Sequence, residues 1–384
     1  MKATAHRLFT PGTGAAPPAL TGREREQAVL GQCLADLLGG DAPPHDVALM
    51  GPRGNGKTVL LNWFEGACRE AGRIDVARLS PSRTRTGQAL ADALLPATII
   101  RKILPRKLGV AGVGQAEWPA PTPSVHDLTE RLTSRCRKSP LVVLVDEAHT
   151  LDREVGELLL NVSQDVRANA PFLLVLAGTP GLPAHLSTMN ASFWSRLGKG
   201  RLGIGLLSDA ATRAALVEPL DAHGVAIDAG ALDAVVERSQ RYPYFIQLWG
   251  EALWDRRLAT GAARLTVAHA DAARPEVATR IADYYQDRYR ELEARGLLSA
   301  AVATARLFAA APTASDHALD AALATTGADA AARLAAREEL NLLGYIWSPP
   351  GQLSPVVWSV GIPSLTTYVL DCAPPGHGGV LPPD

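Results

Sequence analysis

A chain of 384 residues is longer than one hydrophobic core usually spans, so two or three modules are expected, and an apolar fraction of 47% is enough to fill them. With 38 basic and 39 acidic residues the net charge is -1, which excludes a global electrostatic pull toward nucleic acid or an anionic membrane and leaves only local patches. Cys33, Cys68, Cys136 and Cys372 have no metal-ligand spacing, and neither a signal-peptide core nor an apolar run of about 18 residues is present, so a soluble, cytoplasmic chain with no membrane partner is expected.

In chain order, "DVALM" (46 to 50), "IDVARL" (74 to 79), "LVVLVD" (141 to 146), "FLLVLAG" (172 to 178) and "RLGIGLL" (201 to 207) are short runs of branched apolar residues, the pattern of strands buried on both faces of a parallel sheet. Amphipathic helices alternate with them; in "DREVGELLLNVSQDV", Val155, Leu158, Leu159, Val162 and Val166 recur at helical spacing. Strand and helix in repetition predict an α/β core. From about residue 208 the pattern turns helical, with starts at "SDAATRAALVEPL", "DAGALDAVVERSQ" and "PYFIQLWGEALWD" marked by Ser or Asp as N-cap or Pro at the first turn. A last block has three helices followed by "YIWSPPGQLSPVVWSV", two apolar runs about a Pro-Pro-Gly turn, the layout of a winged helix. The expected organisation is an N-terminal extension (1–19), a core (20–207), a helical lid (208–283), a winged-helix-like unit (284–371) and a tail (372–384). The stretch 109–124 reads as a Gly/Pro-rich loop.

Between the first strand and its helix stands "GPRGNGKT", which fits G-x-x-x-x-G-K-[ST]. Gly51, Pro52, Arg53, Gly54, Asn55 and Gly56 would wrap their amides round a phosphate, and Val59 opens the helix whose positive dipole end faces it. Lys57 would reach the β- and γ-phosphates of ATP, and the Thr58 hydroxyl would ligate Mg²⁺. Further on, "LVVLVDEAH" is a buried strand ending in acids: Asp146 would hold Mg²⁺ through water and Glu147 would act as general base. His149 reads as incidental to the turn. "LLVLAGTP" ends at Thr179, the place of a polar γ-phosphate sensor in P-loop families that insert an extra strand between phosphate loop and acidic strand.

These segments, together with "ALTGREREQAVL", "SFWSRLGKGRLGIGLLS" and "RYPYFIQLWGEALW", resemble the AAA+ and STAND group of P-loop ATPases, and most of all its bacterial and archaeal branch similar to origin-recognition initiators. The resemblance covers residues 20 to about 370. It implies an α/β parallel sheet of the ASCE P-loop type, a helical lid, a C-terminal winged helix and ATP hydrolysis with Mg²⁺. It also implies that Leu20, Thr21, Gly22 and Arg23 lie over the adenine, and that Arg196, with Arg201 as its rival, is an arginine finger offered to a neighbouring subunit in a nucleotide-dependent homo-oligomer. The lid departs from the initiator pattern. Pro243 is present, but Tyr244 stands where a second sensor arginine belongs and Arg241 where a glycine does, which suits a slow switch better than fast turnover.

For the target two readings stand open. Initiator-like action on double-stranded DNA would use Arg101, Lys102, Arg106 and Lys107, or the winged helix, whose candidate recognition helix carries only Arg333 and Arg337 against Asp329, Glu338 and Glu339. A second basic run, "RLTSRCRK", spans 131–138. The alternative is a STAND-like switch whose output is a protein partner.

Overall fold

The computed structural model describes residues 7–15, 17, 19–40, 44–95, 124–349 and 356–374. Its first half alternates strand and helix: α1 (Glu24–Gly39), β1 (Val47–Met50), α2 (Lys57–Ala71), β2 (Asp75–Leu79), α3 (Gly87–Leu94), α4 (Val125–Cys136), β3 (Leu141–Val145), α5 (Arg153–Arg167), β4 (Phe172–Gly178), α6 (Leu182–Met189), α7 (Phe193–Arg196) and β5 (Arg201–Gly203). The strands form one parallel sheet in the order β2-β3-β4-β1-β5. β4 therefore lies between the strand that feeds the glycine loop and the strand that ends in acids, which is the inserted strand the sequence predicts.

Alternate residues of each strand go to opposite cores, because successive strand side chains point to opposite faces. Ala48, Met50, Val143, Val145, Leu174 and Leu176 pack with Leu90, Leu132, Leu159 and Leu186 of the helices on one face. Val47, Leu49, Leu144 and Val175 pack with Leu30, Leu60 and Phe64 of α1 and α2 on the other. Each such side chain, removed from water, stabilises the sheet by roughly 1.5–3 kcal/mol. The parallel register, with Met50 beside Gly178 and Val145 beside Leu176, brings the turns after β1, β3 and β4 to one edge.

The second half is helical. α8 (Asp209–Ala222), α9 (Ala229–Ser239) and α10 (Pro243–Thr260) pack together, tied by a parallel pair of two-residue strands, β6 (Ala226–Ile227) and β7 (Arg264–Leu265). Ser208 caps α8 by accepting from the Ala211 amide, and Pro243 occupies the first turn of α10. Next come α11 (Val267–Ala294), α12 (Leu298–Ala310), β8 (Thr313–Ser315), α13 (Asp316–Ala324), α14 (Ala330–Leu342), β9 (Ile346–Trp347), β10 (Val357–Val360) and α15 (Leu365–Cys372), with the three strands antiparallel in the order β8-β10-β9.

One feature differs from the sequence expectation. Residue 284, taken as a unit boundary, lies inside the 28-residue helix α11, and one continuous apolar core runs from α8 to α15. Pro275 sits within that helix, so its presence is no stop signal here. In the expected N-terminal extension, Phe9 is fully buried in the core of helices α8 to α11, against Gly250, where an added Cβ would fall 2.5 Å from the ring. Among the described residues no helix is long and apolar enough to cross a membrane.

Candidate functional site

The turn from β1 to α2 carries the glycine loop. Gly54 (φ +81°) and Gly56 (φ +89°) adopt the left-handed backbone that lets the chain curl before the helix, and Gly56 is the N-cap of α2. A Cβ on Gly54 would meet the Tyr242 hydroxyl at 2.4 Å. The loop is braced from behind. Asn55 donates to the Ile204 carbonyl at 3.0 Å, and the buried Arg23 guanidinium donates to the carbonyls of Asn55 at 3.1 Å and Gly205 at 2.6 Å. Lys57 is 5% exposed and donates to the carbonyls of Gly51 (2.8 Å) and Pro52 (2.9 Å). Burial pushes its ammonium down to about 8, against the upward pull of Glu147 and Asp146.

At the same edge, Asp146 and Glu147 follow β3. Glu147 adopts φ +52°, a left-handed conformation that costs a non-glycine residue roughly 1–2 kcal/mol. Three contacts hold it there: its amide donates to Asp146 Oδ1 (3.0 Å), and its carbonyl accepts from the Thr150 amide (2.9 Å) and hydroxyl (2.8 Å). Asp146 Oδ2 is met at 3.2 Å by Arg78, which also donates to Glu65 and Asn62 of α2. Thr179, after β4, is fully buried, and its Oγ1 has no hydrogen-bond partner among the described residues. Its amide donates to His149 Nδ1 at 3.4 Å, so His149, read from sequence as incidental, is instead a buried part of this edge.

A cavity of about 320 Å³ opens over the loop, lined by Arg53–Val59 and Glu147 on one side. Its apolar wall comes from Leu20, Thr21, Leu207, Ala215, Pro243, Tyr244 and Ile246, and the segment at Thr10–Ala15 closes one flank. Of the segment expected to cover an adenine, Leu20, Thr21 and Arg23 line the cavity, while Gly22 turns to pack against Ala211 of α8. Gly51, Pro52, Asp146 and Thr179 do not line the cavity. Arg241 is exposed and off the cavity, whereas Tyr244 faces it.

Arg196 and Arg201 lie away from the cavity. Arg196 donates to Gln164 and Ser192 of its own chain, and Arg201 donates to the Trp194 carbonyl at 2.8 Å while stacking on the Trp194 ring at 5.1 Å. Arg101, Lys102, Arg106 and Lys107 lie outside the described residues. In the other basic run, Arg135 pairs with Asp75 at 2.8 Å, at the start of β2 and so at the sheet edge opposite the glycine loop. On α14, Arg333 grips Asp320 at 2.9 Å and Arg337 pairs with Asp316 at 2.9 Å.

The sequence reading missed how the second half holds the loop. Tyr242 donates to the Arg53 carbonyl and shares a 3.0 Å hydrogen bond with Tyr284. Arg53 pairs with Glu291 of α11 at 3.2 Å, and Arg288 meets the same carboxylate at 2.8 Å. Gly344 and Gly361 of the last block pack on Pro52, and Gly181, beside Thr179, sits against Leu342 at the end of α14. These partners are 189 and 238 residues from Arg53 in sequence, so no local pattern reveals them.

The residues fit a magnesium triphosphate. A left-handed glycine turn at a helix N-terminus presents amides and a lysine, and an unpartnered buried hydroxyl at Thr179 stands at the same edge. Thr58 and Asp146 offer oxygen ligands of the hard type Mg²⁺ takes.

The comparisons agree with this geometry. Residues 19–176 match the family model described as AAA ATPase domain. No curated protein matches the chain. Among solved structures, a Walker-type ATPase of Pyrococcus abyssi superposes with a TM-score of 0.60 at 15% identity, covering 91% of this chain and 96% of that one. The ORC2 protein of Aeropyrum pernix, solved as ADPNP-ADP complexes, gives a TM-score of 0.57 at 15% identity over 95% and 98% of the two chains. At that identity both likenesses speak for the fold. The chain thus has the P-loop α/β fold, and its residues 19–176 are similar to an AAA ATPase domain.

Proposed function

We propose that this chain binds ATP with Mg²⁺, hydrolyses it slowly, and uses the nucleotide to set how its C-terminal block sits on the core. The observation that carries the reading is that the glycine loop is gripped from both sides: its cavity face is shaped for phosphate, and its outer face is clasped by Tyr242, Glu291 and the Gly344–Pro52 contact. Lys57 and the loop amides would hold the triphosphate, Thr58 and Asp146 would hold Mg²⁺, and Glu147 would take the proton of the attacking water. The ion would neutralise phosphate charge as the bond breaks. Thr179 would sense the γ-phosphate, and Pro243 and Tyr244 would let the lid feel the base. Residues 208–283 would serve as lid, and the block from α12 to α15, with its helix, strand, two helices and two strands, would be a winged helix.

A switch read by a protein partner is favoured over a DNA grip, because Arg333 and Arg337 of α14 are already neutralised by Asp320 and Asp316. Action on double-stranded DNA is supported by the basic run 101–107. Calorimetry with ATP and Mg²⁺ tests the core of the proposal: Lys57→Ala is expected to abolish uptake, and Glu147→Gln to keep uptake while stopping hydrolysis. Uptake of ATP by the Lys57→Ala chain would refute the phosphate-loop assignment. Filter binding to duplex DNA across a salt series separates the two outputs. An ATP-dependent complex whose log affinity falls linearly with log salt would establish the DNA reading, and no complex at low salt would leave the protein-directed switch.

A further inference from the structure

The turn after β3 brings two contacts onto one buried imidazole. His149 is 8% exposed and lies in the short 3₁₀ turn Ala148–Thr150. The Thr179 amide donates to its Nδ1 at 3.4 Å, so Nδ1 carries the lone pair. Its Nε2 stands 3.5 Å from Glu147 Oε2. Burial, then the neighbouring Arg53, Lys57, His185 and Arg295, push the ring down to about 3, so it is neutral at physiological pH and its single proton sits on Nε2, facing Glu147. The Glu147 backbone is pinned in a left-handed conformation by Asp146 and Thr150, but its side chain reaches into the open cavity with nearly half its surface exposed. A carboxylate so exposed samples several rotamers unless a donor selects one.

We infer that His149 is a positioning residue: the Thr179 amide fixes the ring through Nδ1, and Nε2–H holds one oxygen of the Glu147 carboxylate, tying the general base to the end of β4. This rests on the ATPase reading above. The imidazole does not line the cavity; it acts by fixing which way Glu147 points and by linking that direction to the strand that ends at Thr179.

Two substitutions separate this role from simple core filling. In His149→Asn the amide oxygen can replace Nδ1 as acceptor for Thr179, but no donor reaches Glu147. In His149→Gln the amide nitrogen can replace Nε2. With the full chain, affinity for the non-hydrolysable analogue adenylyl imidodiphosphate, with Mg²⁺, is expected to stay within about twofold in both. kcat for ATP should fall about tenfold or more in His149→Asn and recover to within about threefold in His149→Gln, a loss within the range general-base catalysis supplies. In a ¹⁵N-histidine spectrum His149 should be neutral with its proton on Nε2, and Glu147→Gln should shift that signal. Wild-type kcat in His149→Asn, equal loss in both variants, or a proton on Nδ1 would overturn the inference. A wild-type chain that neither binds the analogue nor hydrolyses ATP would strike the ATPase reading instead, and the imidazole signal would then decide by itself whether His149 and Glu147 are joined.

Discussion

Lys57 shows how one side chain records the state of the site. With its ammonium on the carbonyls of Gly51 and Pro52 it has two acceptors but little water, and burial lowers its pKa from 10.5 to about 8. A triphosphate arriving at the loop adds negative charge and returns the pKa upward. Below about pH 8 the lysine is charged with or without nucleotide; above it, binding must draw a proton from solvent. Calorimetry in buffers of different ionisation enthalpy should therefore register proton uptake at about pH 9 and little from this group at about pH 7, with affinity falling as pH rises above 8, by up to about tenfold per unit. Uptake that does not change with pH would mean that Lys57 is already fully charged in the free chain. The glycine motif made Lys57 and Thr58 legible, because their chemistry sits within eight consecutive residues. His149 was not legible, since its role depends on Thr179, thirty residues away.

At the scale of elements, α11 does most to join the halves. Its C-terminal turns carry Arg288 and Glu291, and its middle carries Tyr284 and Tyr285 against Tyr242, Phe245 and Tyr368. Glu291 holds Arg53, a residue that also lines the cavity, so the clasp and the phosphate compete for one guanidinium. Glu291→Gln should free that cation and tighten ATP binding by up to about fivefold, the worth of a half-exposed ion pair of up to about 1 kcal/mol. Titration of the variant with ATP and Mg²⁺ checks this, and weaker binding would show that the clasp shapes the loop rather than restrains it. Helices α8 to α10 were readable from their caps and periodicity, yet the continuity of α11 through residue 284 was not. A continuous helix serving two units has no punctuation between them.

At the scale of the whole molecule, Arg196 bears on the relation between copies of the chain. Arg196 lies off its own cavity and donates to Gln164 and Ser192, so any contact it makes with a triphosphate must be with that of another subunit. If it is a finger in trans, ATPase rate per subunit should climb with protein concentration, and Arg196→Ala should flatten the curve at a rate about 10³-fold lower or more. A wild-type rate independent of concentration would remove the finger, and sedimentation with ATP and Mg²⁺ would report the oligomer directly.

The amino-acid sequence by itself determined the parallel sheet, the glycine loop and the acidic strand end, because each is written in a short run whose meaning depends on near neighbours: buried branched residues, glycines before a lysine, a carboxylate after an apolar strand. Only the tertiary structure decided that Phe9 packs into the core of helices α8 to α11, that Arg53 is shared between cavity and Glu291, that the α14 arginines pair with Asp316 and Asp320, and that His149 stands between Thr179 and Glu147. Those are pairings across separate elements. Which acid an arginine meets, or which oxygen a buried imidazole faces, is set by how helices and strands stack, and a linear pattern carries no record of that distance.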